Sequence, residues 1–133
     1  MTWRSARRPL VALGVGVLLV LGAGASRAGV IPVGTAELQR LLEREADQVF
    51  LLDVRTPGEY RQGRIAGSVL IPMREDPDRL KEIPRDRKVV VVCASGARSG
   101  AVARYLDRQG FPWVANYTGG VLDWARRRLP LER

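Results

Sequence analysis

Lys88-Val89-Val90-Val91-Val92 runs without a break into Cys93-Ala94-Ser95-Gly96-Ala97-Arg98-Ser99. Four consecutive valines suit an extended backbone, because a branched Cβ packs well on a pleated surface and loses freedom in a helix. No polar residue alternates with them, so both faces of this strand are covered, as in the middle of a parallel sheet. Small residues follow, with Gly96 able to take φ > 0. Beyond them Ala97 to Gln109 reads as a helix stopped by Gly110, with Ala101, Val102, Tyr105 and Leu106 facing inward. The segment is strand, tight loop and helix in succession.

Outward from this centre the same alternation continues. Residues 49–54 (Val-Phe-Leu-Leu-Asp-Val) form a second unbroken apolar run of strand length, residues 65–72 a short strand closed by Pro72, and residues 114–117 a last strand. Thr35 caps an amphipathic helix reaching Arg44, with Leu38, Leu41 and Leu42 on one face. Pro57-Gly58-Glu59-Tyr60 begins a short turn or helix ending near Gly63. Residues 73–87 are polar and hold Pro77 and Pro84, which predicts a loop with a helical turn around Asp78–Glu82. Gly119-Gly120 turns into a closing helix that reaches Arg128, with Leu122 and Trp124 in the core. Strands and helices alternating at this spacing predict one α/β domain with a mostly parallel sheet. Ligands of such sheets sit beyond the carboxyl ends of the strands, and Cys93 stands at that end of the central one.

Composition narrows the chemistry. The chain has 133 residues, enough for one core, and its 46% hydrophobic and 27% charged residues are those of a globular protein. There is no histidine, which removes the usual general base, the commonest metal ligand and the near-neutral pH switch together. One cysteine allows neither an internal disulfide nor a cysteine cluster, so no metal and no cofactor is expected. Lys and Arg number 22 against 14 Asp and Glu, a formal charge of +8 that favours small anionic ligands. The basic residues are dispersed among acids and the aromatics are few, so they read as solvated surface and not as a nucleic-acid site. Arg126-Arg127-Arg128 suits a helix C-terminus, and Trp113 marks either core packing or a partner surface.

The first 25 residues read differently. Arg4, Arg7 and Arg8 precede an uncharged apolar run from Leu10 to Ala25, with small residues at 23–25 and again around 26–28. This predicts a signal peptide over residues 1–25 and a periplasmic or cell-envelope location. The run is shorter than the ~20 apolar residues that span a bilayer, so a retained membrane anchor is the second choice, and a membrane is a partner only in that case. Without this segment the chain keeps 19 basic and 14 acidic side chains, a formal +5.

A lone cysteine is either a small buried hydrophobe or a nucleophile, and the surroundings of Cys93 favour the second. Successive backbone N–H groups in a tight loop form a nest for negative charge, and the following helix N-terminus adds a partial positive charge. Together they lower a thiol pKa without histidine. Cys93 is thus the candidate catalytic residue, and Ala94, Ser95, Gly96, Ala97, Arg98 and Ser99 are the candidate substrate-binding set. Arg98 is expected to contact a bound oxyanion, and the hydroxyls of Ser95 and Ser99 to face it, with helix capping the alternative for Ser99. Asp53 and Arg55 either touch this site or serve the turn, with an Arg55–Glu59 pair the preferred reading.

Four stretches in order resemble the rhodanese (sulfurtransferase) homology domain, spread over residues 30–130. Residues 51–60 (Leu-Leu-Asp-Val-Arg-Thr-Pro-Gly-Glu-Tyr) are similar to the family's Asp-Val-Arg-x-x-x-Glu-Tyr/Phe signature, and residues 63–72 to its Gly-His-Ile-x-Gly-Ala-x-x-Ile-Pro. The Cys93–Ser99 loop and Gly119-Gly120 with Trp124 complete the set. The resemblance implies a five-stranded parallel sheet flanked by helices, with Cys93 at the base of the active-site loop. It also implies a two-step transfer of sulfane sulfur through a Cys93 persulfide. The donor would be a thiosulfate-like anion or a persulfide, and the acceptor a thiol, cyanide or a protein. A sulfur carrier or a redox-sensing interaction module without appreciable small-molecule turnover is the alternative. Cysteine-dependent phosphatases also join a Cys, a nest and an Arg, but typically as Cys-x5-Arg; here four residues separate Cys93 from Arg98. Two positions depart from the family. Ala94 stands where Arg or another polar residue is frequent, which predicts a weaker pull on thiosulfate, and Arg64 replaces a frequent histidine.

Overall fold

The four valines occupy the middle strand of a five-stranded sheet in a computed structural model that describes residues 29–75 and 77–133. The strands are β1 (Val30–Val33), β2 (Val49–Asp53), β3 (Val69–Leu70), β4 (Lys88–Val92) and β5 (Val114–Tyr117). Their order is β1-β5-β4-β2-β3, and every neighbouring pair is parallel. The helices are α1 (Thr35–Arg44), α2 (Pro57–Gln62), α3 (Ala97–Arg108) and α4 (Gly120–Arg126), with 3-10 turns at Ala46–Gln48 and Pro77–Glu82. The architecture is the α/β sheet expected from the sequence.

The period of two along β4 divides the core. Val90 and Val92 join Leu38 and Leu41 of α1 and Val121 and Trp124 of α4 on one face. Val89, Val91 and Cys93 join Ala103 and Leu106 of α3 on the other. Burial of this apolar surface on both faces, at roughly 25 cal/mol per Å², is what holds helices to the sheet.

Several local expectations are corrected. The strand β1 was not among the four read along the chain; it is four residues long and contains Pro32, which an edge strand accommodates. Only Val69–Leu70 of the strand expected over 65–72 pairs with β2, because a turn at Ala66-Gly67, with Gly67 at φ 79° and closed by the Ser68 N–H on Ile65 O, occupies the start. Gly34, not Thr35, caps α1, and the Thr35 hydroxyl instead donates to Asp123 Oδ2 (2.5 Å) and accepts from the Tyr117 hydroxyl (2.7 Å). The buried side of α3 is Ser99, Gly100, Ala103 and Leu106. These small residues let the helix lie close to β5, where a Cβ on Gly100 would stand 3.1 Å from Asn116 Nδ2. Ala101 and Tyr105 are exposed and Val102 half-buried, all lining an open groove of about 380 Å³ against Ile71, Pro72, Met73, Leu80 and Ile83. Leu122 is exposed, since α4 packs through Val121 and Trp124. Trp113 packs against the core.

The signal peptide or anchor expected over 1–25 lies outside the described residues. The envelope location, with membrane anchoring as its second form, is corrected: among the described residues no helix is long and apolar enough to cross a membrane.

The first stretch of the 51–60 signature closes on itself as a buried ion pair. Arg55 Nη2 and Nε donate to Asp53 Oδ2 at 2.7 and 3.0 Å, and Nη2 also donates to Gly63 O at 2.9 Å. Both residues are nearly inaccessible, so the pair ties the end of β2 to the end of α2. Removing one member of such a pair strands the other charge in the interior. Arg55→Met is therefore expected to lower stability by about 3–5 kcal/mol in urea denaturation followed by tryptophan fluorescence. A loss no greater than that of an exposed arginine would show that Asp53 is compensated by something else.

Candidate active site

Cys93 is the first residue beyond β4 and is fully buried, its side chain on the α3 face of the sheet. The chain turns sharply there. Gly96 takes φ 92° and stands at the N-cap of α3, and its N–H points back to Cys93 Sγ at 3.1 Å. A Cβ on Gly96 would lie 2.4 Å from Thr118 O, and one on Gly120, at φ 66°, only 2.2 Å from Ala94 O. Glycine at both positions lets the loop sink between the end of β5 and the start of α4. From below, the N–H groups of Val121 and Leu122 donate to Cys93 O (2.9 Å) and Ala94 O (3.1 Å). The first N–H groups of a helix lack intrahelical partners, and here the loop carbonyls supply them.

Two polar side chains complete the surroundings of the thiol. Ser99, buried on the first turn of α3, places Oγ 3.2 Å from Cys93 Sγ. Asn116 on β5 accepts from Ser99 Oγ at 2.6 Å and donates from Nδ2 to Gly96 O at 3.1 Å. Burial pushes the Cys93 thiol up, but the Ser99 hydroxyl and the N–H groups of Ser99, Ser95 and Gly96 together outweigh it. The thiol consequently stands below its ordinary value.

Arg98 is placed otherwise than expected. Its guanidinium forms a bidentate pair with Glu59, Nη2 to Oε1 at 2.7 Å and Nη1 to Oε2 at 2.9 Å. Arg98 holds the Glu59 carboxyl down at about 2 against the opposing effect of burial, with further bonds from the Thr56 N–H and hydroxyl. The Thr56 N–H bond to Glu59 and the Glu59 N–H donating back to Thr56 Oγ1 (3.2 Å) form a capping box that starts α2. The expected ion pair between Arg55 and Glu59 is not formed: the Arg55 charge goes to Asp53, and Arg55 meets Glu59 only at its backbone carbonyl, 3.3 Å away.

The loop thus brings Cys93, Gly96 and Ser99 together, with the Ser95 N–H. Ser99 is not a cap. Ala94 is half-buried, its carbonyl turned to α4, and Ala97 is exposed at the start of α3. Asn116 and the Glu59–Arg98 pair were missed. An asparagine inside the buried strand Val-Ala-Asn-Tyr was the available signal for the first, because a buried amide needs partners. Among the described residues no cluster of Cys, Asp or Glu is placed to hold a metal ion.

Comparison with known proteins agrees with this geometry. The family model "Rhodanese-like domain" matches residues 34–127. A sulfurtransferase of Allochromatium vinosum is 47% identical over 93 residues, covering 70% of this chain and 85% of the relative. The putative sulfurtransferase YtwF of Bacillus subtilis is 36% identical over 98 residues, covering 74% and 93%. The crystal structure of a rhodanese-related protein from Thermoplasma volcanium superposes with a TM-score of 0.68 at 32% identity, covering 77% of this chain and 97% of that one. A parallel sheet in this order, the loop at the end of β4 and a family match over most of the chain lead to one conclusion: the chain belongs to the rhodanese family.

Proposed function

We propose that this protein is a sulfurtransferase that works through a persulfide on Cys93. The observation that carries the reading is the convergence of the Gly96 N–H and the Ser99 hydroxyl on Cys93 Sγ within 3.1 and 3.2 Å. In the first step the thiolate attacks the outer sulfur of thiosulfate. A Cys93 S–S bond forms, the S–S bond of the donor breaks, and sulfite leaves with the electron pair. In the second step an acceptor thiolate or cyanide attacks the terminal sulfur, giving a new persulfide or thiocyanate and returning the Cys93 thiolate. This is nucleophilic catalysis with a covalent intermediate, and a lowered thiol pKa serves both its attack and its departure. The nest N–H groups fit the terminal sulfur of the intermediate, which is also an anion.

A second reading, a carrier that receives sulfur from a persulfide partner and passes it to another protein, is favoured by one observation. Arg98 is spent on Glu59 and Ala94 carries no charge, so the loop offers thiosulfate no free cationic side chain.

Incubation with thiosulfate is expected to add the mass of one sulfur atom to the protein, to leave Cys93→Ser unchanged, and to be reversed by cyanide with release of thiocyanate. Loading by an organic persulfide but not by thiosulfate selects the carrier. No loading by either donor removes sulfur transfer altogether. The two readings also diverge at Glu59. Glu59→Gln keeps a side chain able to complete the capping box while freeing the Arg98 charge. The KM for thiosulfate is expected to fall about tenfold in this variant, on the order of one charge-assisted hydrogen bond. An unchanged KM in steady-state assays would show that Arg98 takes no part in anion recognition even when released.

A further inference from the structure

Hydrogen bonds run inward from Cys93 through Ser99 to Asn116, and chemistry fixes the donor in each. Gly96 O can only accept, so the Asn116 atom 3.1 Å from it is the amide nitrogen. The other end of that amide is an acceptor only, and Ser99 Oγ lies 2.6 Å away, so the Ser99 hydroxyl donates there. A hydroxyl has one proton. With that proton committed to Asn116, the Ser99 oxygen meets Cys93 Sγ as an acceptor, and the thiol S–H is the donor across 3.2 Å.

Ionisation reverses the demand. A thiolate accepts, and Ser99 can donate to it only by turning its proton away from Asn116, which leaves the amide oxygen without its donor in a partly buried position. We propose that Asn116 is a positioning residue for Cys93: it holds the single proton of Ser99 and so determines whether that hydroxyl accepts from the thiol or donates to the thiolate. Asn116 thereby works against the thiolate, while the backbone N–H groups of the nest work for it.

The charged groups around the thiol leave this control to the hydroxyl. On α3 and α2, Arg98 and Glu59 neutralise each other. At the end of β2, Asp53 and Arg55 are closed on one another. On α4, Asp123 is taken by Thr35 and Arg127. From β5, Tyr117 packs in the cluster on the opposite face of the sheet.

The proposal rests on Cys93 being the reacting thiol, but its tests use no sulfur donor, so they stand or fall apart from persulfide loading. The chain has one cysteine, so its infrared S–H stretching band belongs to Cys93 alone. In the wild-type protein that band is expected at the lowered frequency of a donating thiol; a band at the free-thiol frequency overturns the proposal without any variant. The second test is the pH dependence of alkylation by iodoacetamide. Asn116→Leu removes the acceptor, and Gly96 O keeps the N–H of Gly100 at 3.1 Å. The midpoint is expected to fall by about one pH unit, the size of one net hydrogen bond. In the Ser99→Ala background the same substitution is expected to change nothing. A midpoint that stays or rises, or an equal fall without the serine hydroxyl, overturns the assignment.

Discussion

The arrangement depends on the approach of Gly120 to Ala94. Beyond Val92 the chain leaves the sheet, and the carbonyls of Cys93 and Ala94 turn towards the start of α4. A buried carbonyl without a donor costs about 1–3 kcal/mol. The start of α4 has the complementary deficit, N–H groups with no helical acceptor. Each need meets the other through the bonds from Val121 and Leu122, but only if the two backbones come closer than any side chain permits. Gly120, at φ 66° with no Cβ, allows it. Once the carbonyls of the loop face down to α4, its N–H groups are free to face up to the sulfur. The direction of the nest is thus settled by a helix on the other side of the loop.

Activation of a thiol in a chain without histidine follows from short-range donors. Burial alone would raise the Cys93 pKa; donors at about 3 Å reverse the sign. Long-range charge contributes less than the residue list suggests, because the nearest cation is already paired. Arg98 and Glu59 together add little net charge beside the loop, and their bidentate geometry joins α2 to α3 across the mouth of the site. The pair is half-exposed and the Asp53–Arg55 pair is buried, so the second carries the structural weight.

The sequence is most legible where one physical demand acts alone. Val89–Val92 reads as a central strand because four β-branched residues without alternation suit a strand covered on both faces, and Gly96, three residues beyond Cys93, reads as part of a tight loop. Asp53, Arg55 and Glu59 were legible as a group but not in their pairing, since Arg55 had two carboxylates within reach along the chain. Burial decided it: the inaccessible Asp53 requires a cation, while Glu59 has both the α2 backbone and Arg98. Leu122 and Tyr105 read as inward on hydrophobicity, yet α4 packs through Val121 and Trp124, and α3 turns Gly100 and Ala103 to the sheet, where small size matters more than apolar area. β1 escaped because four residues with a proline leave no periodicity to read. Asn116 is the instructive omission. An amide inside an apolar strand announces that it needs partners but not which ones, and here they lie 17 and 20 residues away in sequence.

The same structure separates what must stay fixed from what must change in the proposed cycle. Thiolate and persulfide are both anions, and the nest N–H groups serve either because the backbone that carries them is pinned by two glycines and α4. The neutral thiol is the odd state, a donor where the other two accept. Backbone donors cannot reverse themselves to suit it. A hydroxyl can, by rotation about one bond, and Ser99 is the hydroxyl within reach of the sulfur at 3.2 Å. A rigid cradle with one rotating donor therefore accommodates all three sulfur states without moving the backbone, and the asparagine behind that donor sets how readily it turns.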